Sequence, residues 1–237
     1  EENPFLGWRG IRLTLDHPEI FLVQIRAMLR ASIGLQNLQI MLPMISTVSE
    51  VQEAKRLINQ AFFEISDEVA SDNKTLHKPK LGIMLEVPSV LYQLPQLAKY
   101  VDFFSVGSND LTQYLLAVDR NNTRVAGLYN SYHPAVLGAL YDVVEKANQA
   151  QVPVTICGEI AGEPAGALLL MGMGYRRLSM NGFNLRKINW LIRKVTIEEC
   201  KQLLALALTS ASQEEVFVHL NEYLETKGLG GLIRAGA

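Results

Sequence analysis

The chain predicts an α/β architecture with a parallel sheet, and three observations lead there. Short apolar strands alternate with helical segments, the order that lays helices over parallel strands. None of these strands is followed by the GxGxxG or GxxxxGK(S/T) turn of an open, nucleotide-binding sheet. Polar, chemistry-bearing residues stand instead at the carboxyl ends of successive strands, the place where a closed (β/α)8 barrel of the TIM type carries its active site. The barrel is therefore the expected form. It needs eight strands, and this chain supplies about the last five. Three strands are expected upstream, and residues 1–237 read as one barrel domain cut at its N-terminal side.

The elements follow in order. After a loop at Asn3–Gly10, Pro18–Ser32 carries Ile20, Val23, Ile25, Met28 and Leu29 at roughly helical spacing. A strand is expected at Leu38–Pro43. Ser49 then opens a helix whose apolar face is Val51, Ala54, Leu57, Ile58, Ala61 and Phe62. Ser66–Lys80 is polar and reads as an exposed loop. The strand Lys80–Val87 stops at Pro88, which cannot donate to a ladder. A helix over Ser89–Lys99, distorted at Pro95, leads to the strand Asp102–Gly107. Ser108-Asn109-Asp110 opens the next helix. Pro134–Gln149 and Pro164–Met173 read as helices around the strand Pro153–Cys157, and Arg177–Met180 as a short last strand. Leu185–Val195, Ile197–Leu208 and Gln213–Lys227 close the chain as helices before a Gly-rich tail, Gly228–Ala237.

Composition excludes several functions. At 237 residues and 49% hydrophobic content the chain can bury a large core, which rules out a disordered, collagen-like or coiled-coil protein. Its 22 Lys+Arg against 24 Asp+Glu leave a net charge of −2, with no basic field to hold nucleic acid. No apolar run reaches the ~18 residues of a membrane span, and Glu-Glu-Asn-Pro-Phe has no signal-peptide character. With Cys157 and Cys200 its only cysteines, it has no disulfide scaffold. A cytoplasmic enzyme domain is expected.

Glu86 ends one strand and Asp110 lies just past the next, one βα unit further along. Two carboxylates with room for water and a substrate oxygen suit Mg²⁺, which takes hard oxygen ligands and keeps several waters. A plainer reading stands beside this one: Glu86 on the surface and Asp110 as a helix N-cap. Cys157 ends a strand in Thr155-Ile156-Cys157-Gly158-Glu159. A free cysteine is commonly a small buried hydrophobe, but a thiol facing the site could donate or accept a proton. Cys200, on a late helix, reads as buried. Arg9 and Arg120 lie in loops, where arginine either binds phosphate or carboxylate bidentately or is merely solvated. His17, His77, His133 and His219 form no constellation, and no Cys/His cluster suggests zinc. Met41, Met44, Met171 and Met173 are expected in the core.

Six stretches together resemble a known family: Glu2-Asn-Pro-Phe-Leu-Gly-Trp-Arg9-Gly-Ile-Arg12, Ile40-Met-Leu-Pro-Met-Ile45, Gly82-Ile-Met-Leu-Glu86-Val-Pro88, Asp102-Phe-Phe-Ser-Val-Gly-Ser-Asn-Asp-Leu-Thr-Gln-Tyr114, Leu116-Ala-Val-Asp-Arg120 and Cys157-Gly-Glu-Ile-Ala-Gly162. They are similar, over essentially the whole chain, to the C-terminal phosphoenolpyruvate-binding domain of enzyme I, the phosphoenolpyruvate–protein phosphotransferase. Pyruvate phosphate dikinase and phosphoenolpyruvate synthase share the domain, but Asp102–Arg120 looks more like enzyme I. Arg177-Leu-Ser-Met-Asn-Gly182 and Tyr132-His-Pro-Ala depart from the sugar-branch pattern and favour the nitrogen-branch paralogue.

The resemblance implies roles. Glu86 and Asp110 match Mg²⁺ ligands, Asn109 a phosphate contact at a helix start, and Arg9 and Arg120 the phosphoenolpyruvate-binding arginines. Cys157 matches the acid that protonates C3 of the enolate as pyruvate forms. It further implies a phosphorylated histidine in an N-terminal domain, a histidine-containing phosphocarrier protein as partner, and a homodimer. The histidines of this chain do not match the phosphorylated one, and two more substrate-binding arginines belong to the upstream strands. A dikinase- or synthase-type domain, or a dimerisation module that senses phosphoenolpyruvate without turnover, are the competing readings.

Overall fold

The computed structural model describes residues 3–70 and 74–234. Among them lie five strands hydrogen-bonded in sequence order: β1 (Gln39–Leu42), β2 (Lys80–Leu85), β3 (Phe103–Gly107), β4 (Val154–Cys157) and β5 (Leu178–Ser179). Each predicted strand is present, trimmed by one or two residues at one or both ends. The chain divides within β3 into two compact units, Glu1–Phe104 and Ser105–Ala237.

In the first unit a 3-10 turn at Pro4–Leu6 leads to α1 (Ile11–Asp16), α2 (Pro18–Ala31), β1, α3 (Val48–Ala70) and β2. Sequence periodicity did not reveal α1, which is only six residues long. Tertiary bonds hold it: Trp8 Nε1 donates to Asp16 Oδ2 at 2.6 Å, and Arg12 donates to the carbonyls of Leu6 and Gly7 at 3.0 Å. β1 and β2 run parallel, with Gln39 opposite Lys80 and Leu42 opposite Ile83. Ile40 and Leu42 point into the core, so the two-residue period of a strand turns Met41 outward, where it is 39% exposed. The expectation of a core Met41 is thereby corrected, whereas Met44, Met171 and Met173 are buried.

α3 outruns its expected end at Ser66 and continues to Ala70. Ile65 and Val69 extend its buried face at helical spacing. Its acidic residues are spent on α2 rather than on a loop, with Arg26 on Glu64 at 2.6 Å and Arg30 on Glu68 at 2.8 Å. The expected helix over Ser89–Lys99 is instead a 3-10 segment, Pro88–Tyr92, followed by the single turn α4 (Leu94–Leu97). Pro95 has no N–H to give to a continuous helix and so sits in the first turn of a new one.

The second unit carries α5 (Ser108–Leu116), a 3-10 turn at Ala126–Leu128, α6 (Pro134–Gln149), β4, α7 (Glu159–Gly162), α8 (Pro164–Met173), β5, α9 (Gly182–Ile192), α10 (Ile197–Thr209), α11 (Gln213–Thr226) and α12 (Gly231–Arg234). The last turn interrupts what reads as a Gly-rich tail, whose end at 235–237 lies outside the described residues. β4 and β5 are parallel, with Cys157 opposite Ser179. α8 is apolar all round and almost wholly buried, as a helix enclosed on every side must be. α6 meets the same core through Val136, Leu137, Leu140, Val143, Val144 and Ala147, and the fully enclosed Tyr175 donates its hydroxyl to Leu140 O at 3.0 Å. α10 opens on a capping box between Thr196 and Glu199.

α8 and α10 pack backbone to backbone at Gly172. A Cβ there would lie 2.4 Å from the carbonyl oxygen of Cys200. Gly172→Ala is therefore expected to cost about 1–3 kcal/mol of stability, the usual range for overpacking. Gly138→Ala is the matched control. It is also helical, but a Cβ at Gly138 meets nothing within 4 Å, so it should stabilise by about 0.5–1 kcal/mol. Urea unfolding of both variants checks the pair, and a neutral Gly172→Ala would contradict the close approach.

Candidate active site

In the second unit the site grows from the corner between β3 and α5. β3 is buried from Phe104 through Gly107, the N-cap of α5. Asp110 is thus not the N-cap of the plainer sequence reading. It is the third helical residue, where a carboxylate is favoured by the positive end of the helix dipole. It is only 8% exposed. Its Oδ1 is 3.3 Å from Nη2 of Arg120.

Local backbone geometry delivers that arginine. Ala117 closes α5 in the left-handed region at φ 53°, and the chain turns back with Val118 N–H on Gln113 O at 3.0 Å. Arg120 N–H then donates to Oε1 of the buried Gln113 at 3.1 Å. Two residues of α5, Asp110 and Gln113, thereby hold Arg120 by its head group and its backbone.

β4 ends at Cys157, whose thiol donates to Val106 O at 3.3 Å. Ser108 Oγ donates to Cys157 O at 2.7 Å, and Glu159 N–H donates to Asn109 Oδ1 at 3.2 Å. The last bond sets the orientation of the Asn109 amide. With Oδ1 accepting from the backbone, the Nδ2 amino group is the end that can donate to an anion. Gly158 turns the chain between them at φ 116°, ψ 179°. No other residue fits, because a Cβ there would lie 2.1 Å from Ser108 Oγ. Asn109, Cys157 and Gly158 share a cavity of about 420 Å³ with Glu159, Glu163 and Asn184.

Several of these residues were not singled out in the sequence. Tyr129 donates its hydroxyl to Asn109 O at 3.3 Å. Burial pushes its phenol above the ordinary range, and a hydrogen bond with Ser131 and then the Arg120 charge offset part of that rise. Tyr132, buried and packed on the Phe217 ring with 4.6 Å between centroids, donates to Glu163 Oε2 at 2.5 Å. Glu163 is the N-cap of α8 and lines the cavity. A tyrosine amid polar loop residues carries no periodic signal, so nothing in the chain's spacing marks either one.

The first unit places Glu86 one residue beyond β2. It is 4% exposed, against the surface reading, and its Oε1 accepts from Met44 N–H at 2.7 Å. Met44 adopts a left-handed φ of 59°, a strained conformation for a side chain with a Cβ, and this turns its N–H onto the carboxylate. Arg9 lies 5.4 Å above the Phe5 ring. Two residues later Ile11 N–H donates to Pro43 O at 3.3 Å, so the Arg9 loop and the Met44 turn are tied at adjacent backbone positions. Asn109, Asp110, Arg120 and Cys157 thus come together on the second unit, and Arg9 and Glu86 belong to the first. Cys200 is buried, as expected, and burial pushes its thiol up to about 11.

Among the described residues no three His, Cys, Asp or Glu side chains gather as a metal cluster. Glu86 and Asp110 are nonetheless the hard, anionic oxygen donors that Mg²⁺ takes, and each is buried at the end of a strand or the start of a helix. That donor chemistry fits the ion. Among the described residues no helix is long and apolar enough to cross a membrane.

Residues 1–197 match the family described as PEP-utilising enzyme, PEP-binding domain. The chain is 50% identical over 236 residues to proteins named phosphoenolpyruvate-dependent phosphotransferase system from Salmonella typhimurium and Escherichia coli K12, covering 100% of this chain and 31% of each relative. It is 42% identical over 224 residues to a phosphoenolpyruvate-protein phosphotransferase of Haemophilus influenzae, covering 94% of this chain and 38% of that protein. The chain thus spans about a third of the length of the curated relatives it matches. A solved citrate lyase from Burkholderia xenovorans LB400 superposes with a TM-score of 0.54 at 16% identity, over 87% of this chain and 69% of that one. This likeness concerns the fold alone, and it agrees with the barrel class expected from the strand ends.

The Tyr132–Glu163 tie is open to a direct test. Burial, then the Glu163 charge and bond, hold the Tyr132 phenol well above its ordinary value near 10. A raised pKa stabilises the fold at pH values below ~10 and loses that contribution as pH climbs toward the folded value. Tyr132→Phe keeps the ring on Phe217 and is expected to cost about 1–3 kcal/mol at pH 7. Urea unfolding should show the native protein weakening more steeply than the variant above pH ~10. Parallel pH curves would remove the phenol from this role.

Proposed function

The chain belongs to the family of PEP-utilising enzymes as a PEP-binding domain, and from that premise we propose that it is the catalytic, phosphoenolpyruvate-binding domain of a phosphoenolpyruvate–protein phosphotransferase. The observation that carries this reading is the second unit's cavity. A thiol and an amide turned to donate line it at the ends of β3 and β4, and an arginine anchored on Asp110 follows the helix that starts there.

Phosphoryl transfer asks for positioning and charge neutralisation rather than covalent help. Arg120, held on Asp110 and Gln113, presents its remaining donors to phosphate or carboxylate oxygens, and Asn109 Nδ2 adds a neutral donor beside it. Arg9 supplies the second cation. Glu86 and Asp110 are the residues that would serve as ligands to Mg²⁺, and the ion would supply charge neutralisation at phosphoryl oxygens. The P–O bond of phosphoenolpyruvate breaks as a P–N bond forms to a histidine of another domain. The enolate left behind collapses to a ketone as its C3 takes the proton from Cys157 Sγ, and the resulting thiolate recovers a proton from water. Pyruvate is the product.

The phosphoryl group then passes to a histidine-containing phosphocarrier protein. Arg177–Gly182 and Tyr132–Ala135 support the nitrogen branch, and the family resemblance supports a homodimer. Two free cysteines and the absence of a membrane-length helix among the described residues are consistent with a cytoplasmic site of action.

The direct test incubates the full-length protein with labelled phosphoenolpyruvate and Mg²⁺, without nucleotide. Acid-labile, base-stable protein phosphate together with released pyruvate is expected. Labelling that waits for ATP, or for AMP with phosphate, would assign a dikinase-type enzyme instead. No label under any condition would leave a sensing module. Within the same assay, Cys157→Ala should lower kcat by about 100-fold or more with KM for phosphoenolpyruvate nearly unchanged. Matched losses in both would sink the proton-donor role. Glu86→Gln should raise the Mg²⁺ concentration needed for half-maximal rate by about tenfold, and an unchanged Mg²⁺ requirement would remove Glu86 from the metal.

A further inference from the structure

We infer that Ser108 is the positioning residue for the Cys157 thiol, holding the turn after β4 so that only the S–H bond has to rotate during proton delivery. The inference deepens the proposed reaction and rests on Cys157 as its acid. Ser108 is 1% exposed, so its hydroxyl is out of reach of a substrate. It is committed to Cys157 O at 2.7 Å.

Three further contacts show that the turn is fitted to this hydroxyl rather than merely near it. The position of a Cβ on Gly158 is already taken by Ser108 Oγ at 2.1 Å and by Asn109 Oδ1 at 2.8 Å. Asn109 Oδ1 receives Glu159 N–H at 3.2 Å. The thiol itself reaches back to Val106 O at 3.3 Å. Residues 106, 108 and 109, all on one corner, thus grip residues 157, 158 and 159 in register. The sulfur is placed by the backbone of that turn, and its hydrogen rests on the β3 carbonyl until a stronger acceptor arrives. Rotation about the C–S bond then suffices: the S–H bond breaks, the C3–H bond forms, and the backbone need not move. A misplacement of about 1 Å between reacting groups costs on the order of 100-fold in rate, so a group that fixes the sulfur acts on kcat without touching substrate.

The experiment uses the full-length protein and three variants: Ser108→Ala, Ser108→Thr and Cys157→Ala. Iodoacetamide labelling, read residue by residue by mass spectrometry in the absence of substrate, reports the freedom of Cys157, and buried Cys200 serves as the internal reference. Ser108→Ala is expected to speed labelling of Cys157 by at least about threefold while Cys200 is unchanged, and to lower kcat for pyruvate formation about tenfold with KM within about twofold. Ser108→Thr, which keeps the hydroxyl, should restore most of both. Should the alanine variant fail to accumulate, Ser108→Cys keeps a weaker donor and should shift both readouts in the same direction by a smaller factor. Unchanged Cys157 labelling and kcat would overturn the inference. So would equal acceleration at Cys157 and Cys200 with KM and kcat both impaired, which describes general loosening. Cys157→Ala separates the two claims: full turnover in that variant rejects the proton-donor role, while the labelling result still decides what Ser108 holds.

Discussion

The chemistry of the second unit hangs on the seam where the ends of β3 and β4 meet. One side of the seam is the corner Val106–Asn109, and the other is the turn Cys157–Glu159. The hydrogen bonds Ser108 Oγ to Cys157 O, Cys157 Sγ to Val106 O and Glu159 N to Asn109 Oδ1 close it. Each bond is modest by itself, about 0.5–1.5 kcal/mol net. Their joint effect is geometric, because they fix which atoms are left over. The thiol residue lines the cavity, and the amino end of Asn109 remains a donor. Gly158 is the condition for all of this, since any side chain would occupy the space of the Ser108 hydroxyl.

Charge is handled separately in each unit by giving a buried carboxylate a partner at once. A carboxylate removed from water is costly unless hydrogen-bonded or paired. Asp110 has the α5 N-terminus and Arg120, and Glu86 has the Met44 N–H. The strain at Met44, with its φ of 59°, is the local cost of aiming that N–H. Such an arrangement keeps anionic oxygens available in a dry environment, where a cation or a cationic side chain interacts more strongly than it would in bulk water.

Much of the fold was legible along the chain. Alternation of strand and helix marked the five strands within one or two residues, and the helices over Pro134–Gln149, Pro164–Met173 and Ile197–Leu208 were expected close to where α6, α8 and α10 lie. The misreadings arose where contacts outside the apolar spacing decided the outcome. α1 is held by bonds to the segment just before it, from Trp8 to Asp16 and from Arg12 to the Leu6 carbonyl. α3 continues past Ser66 because Glu64 and Glu68 meet arginines of α2, 38 residues away. Met41 lies on the outer face because burial of Ile40 and Leu42 selects the register.

Chemistry divides in the same way. Residue type and position at strand ends, together with the family resemblance, pointed to Glu86, Asn109, Asp110, Arg120, Arg9 and Cys157, because a strand's carboxyl end is a place defined along the chain. What sequence alone could not decide is how those groups are aimed. The flip of the Asn109 amide, the Tyr132–Glu163 bond and the role of Ser108 arise from contacts between residues far apart in the chain, and the grip of Asp110 and Gln113 on Arg120 from the turn that closes α5. A linear pattern records which side chains are present. Hydrogen-bond direction is a property of three-dimensional neighbours, and it is settled only when the β3 and β4 ends meet.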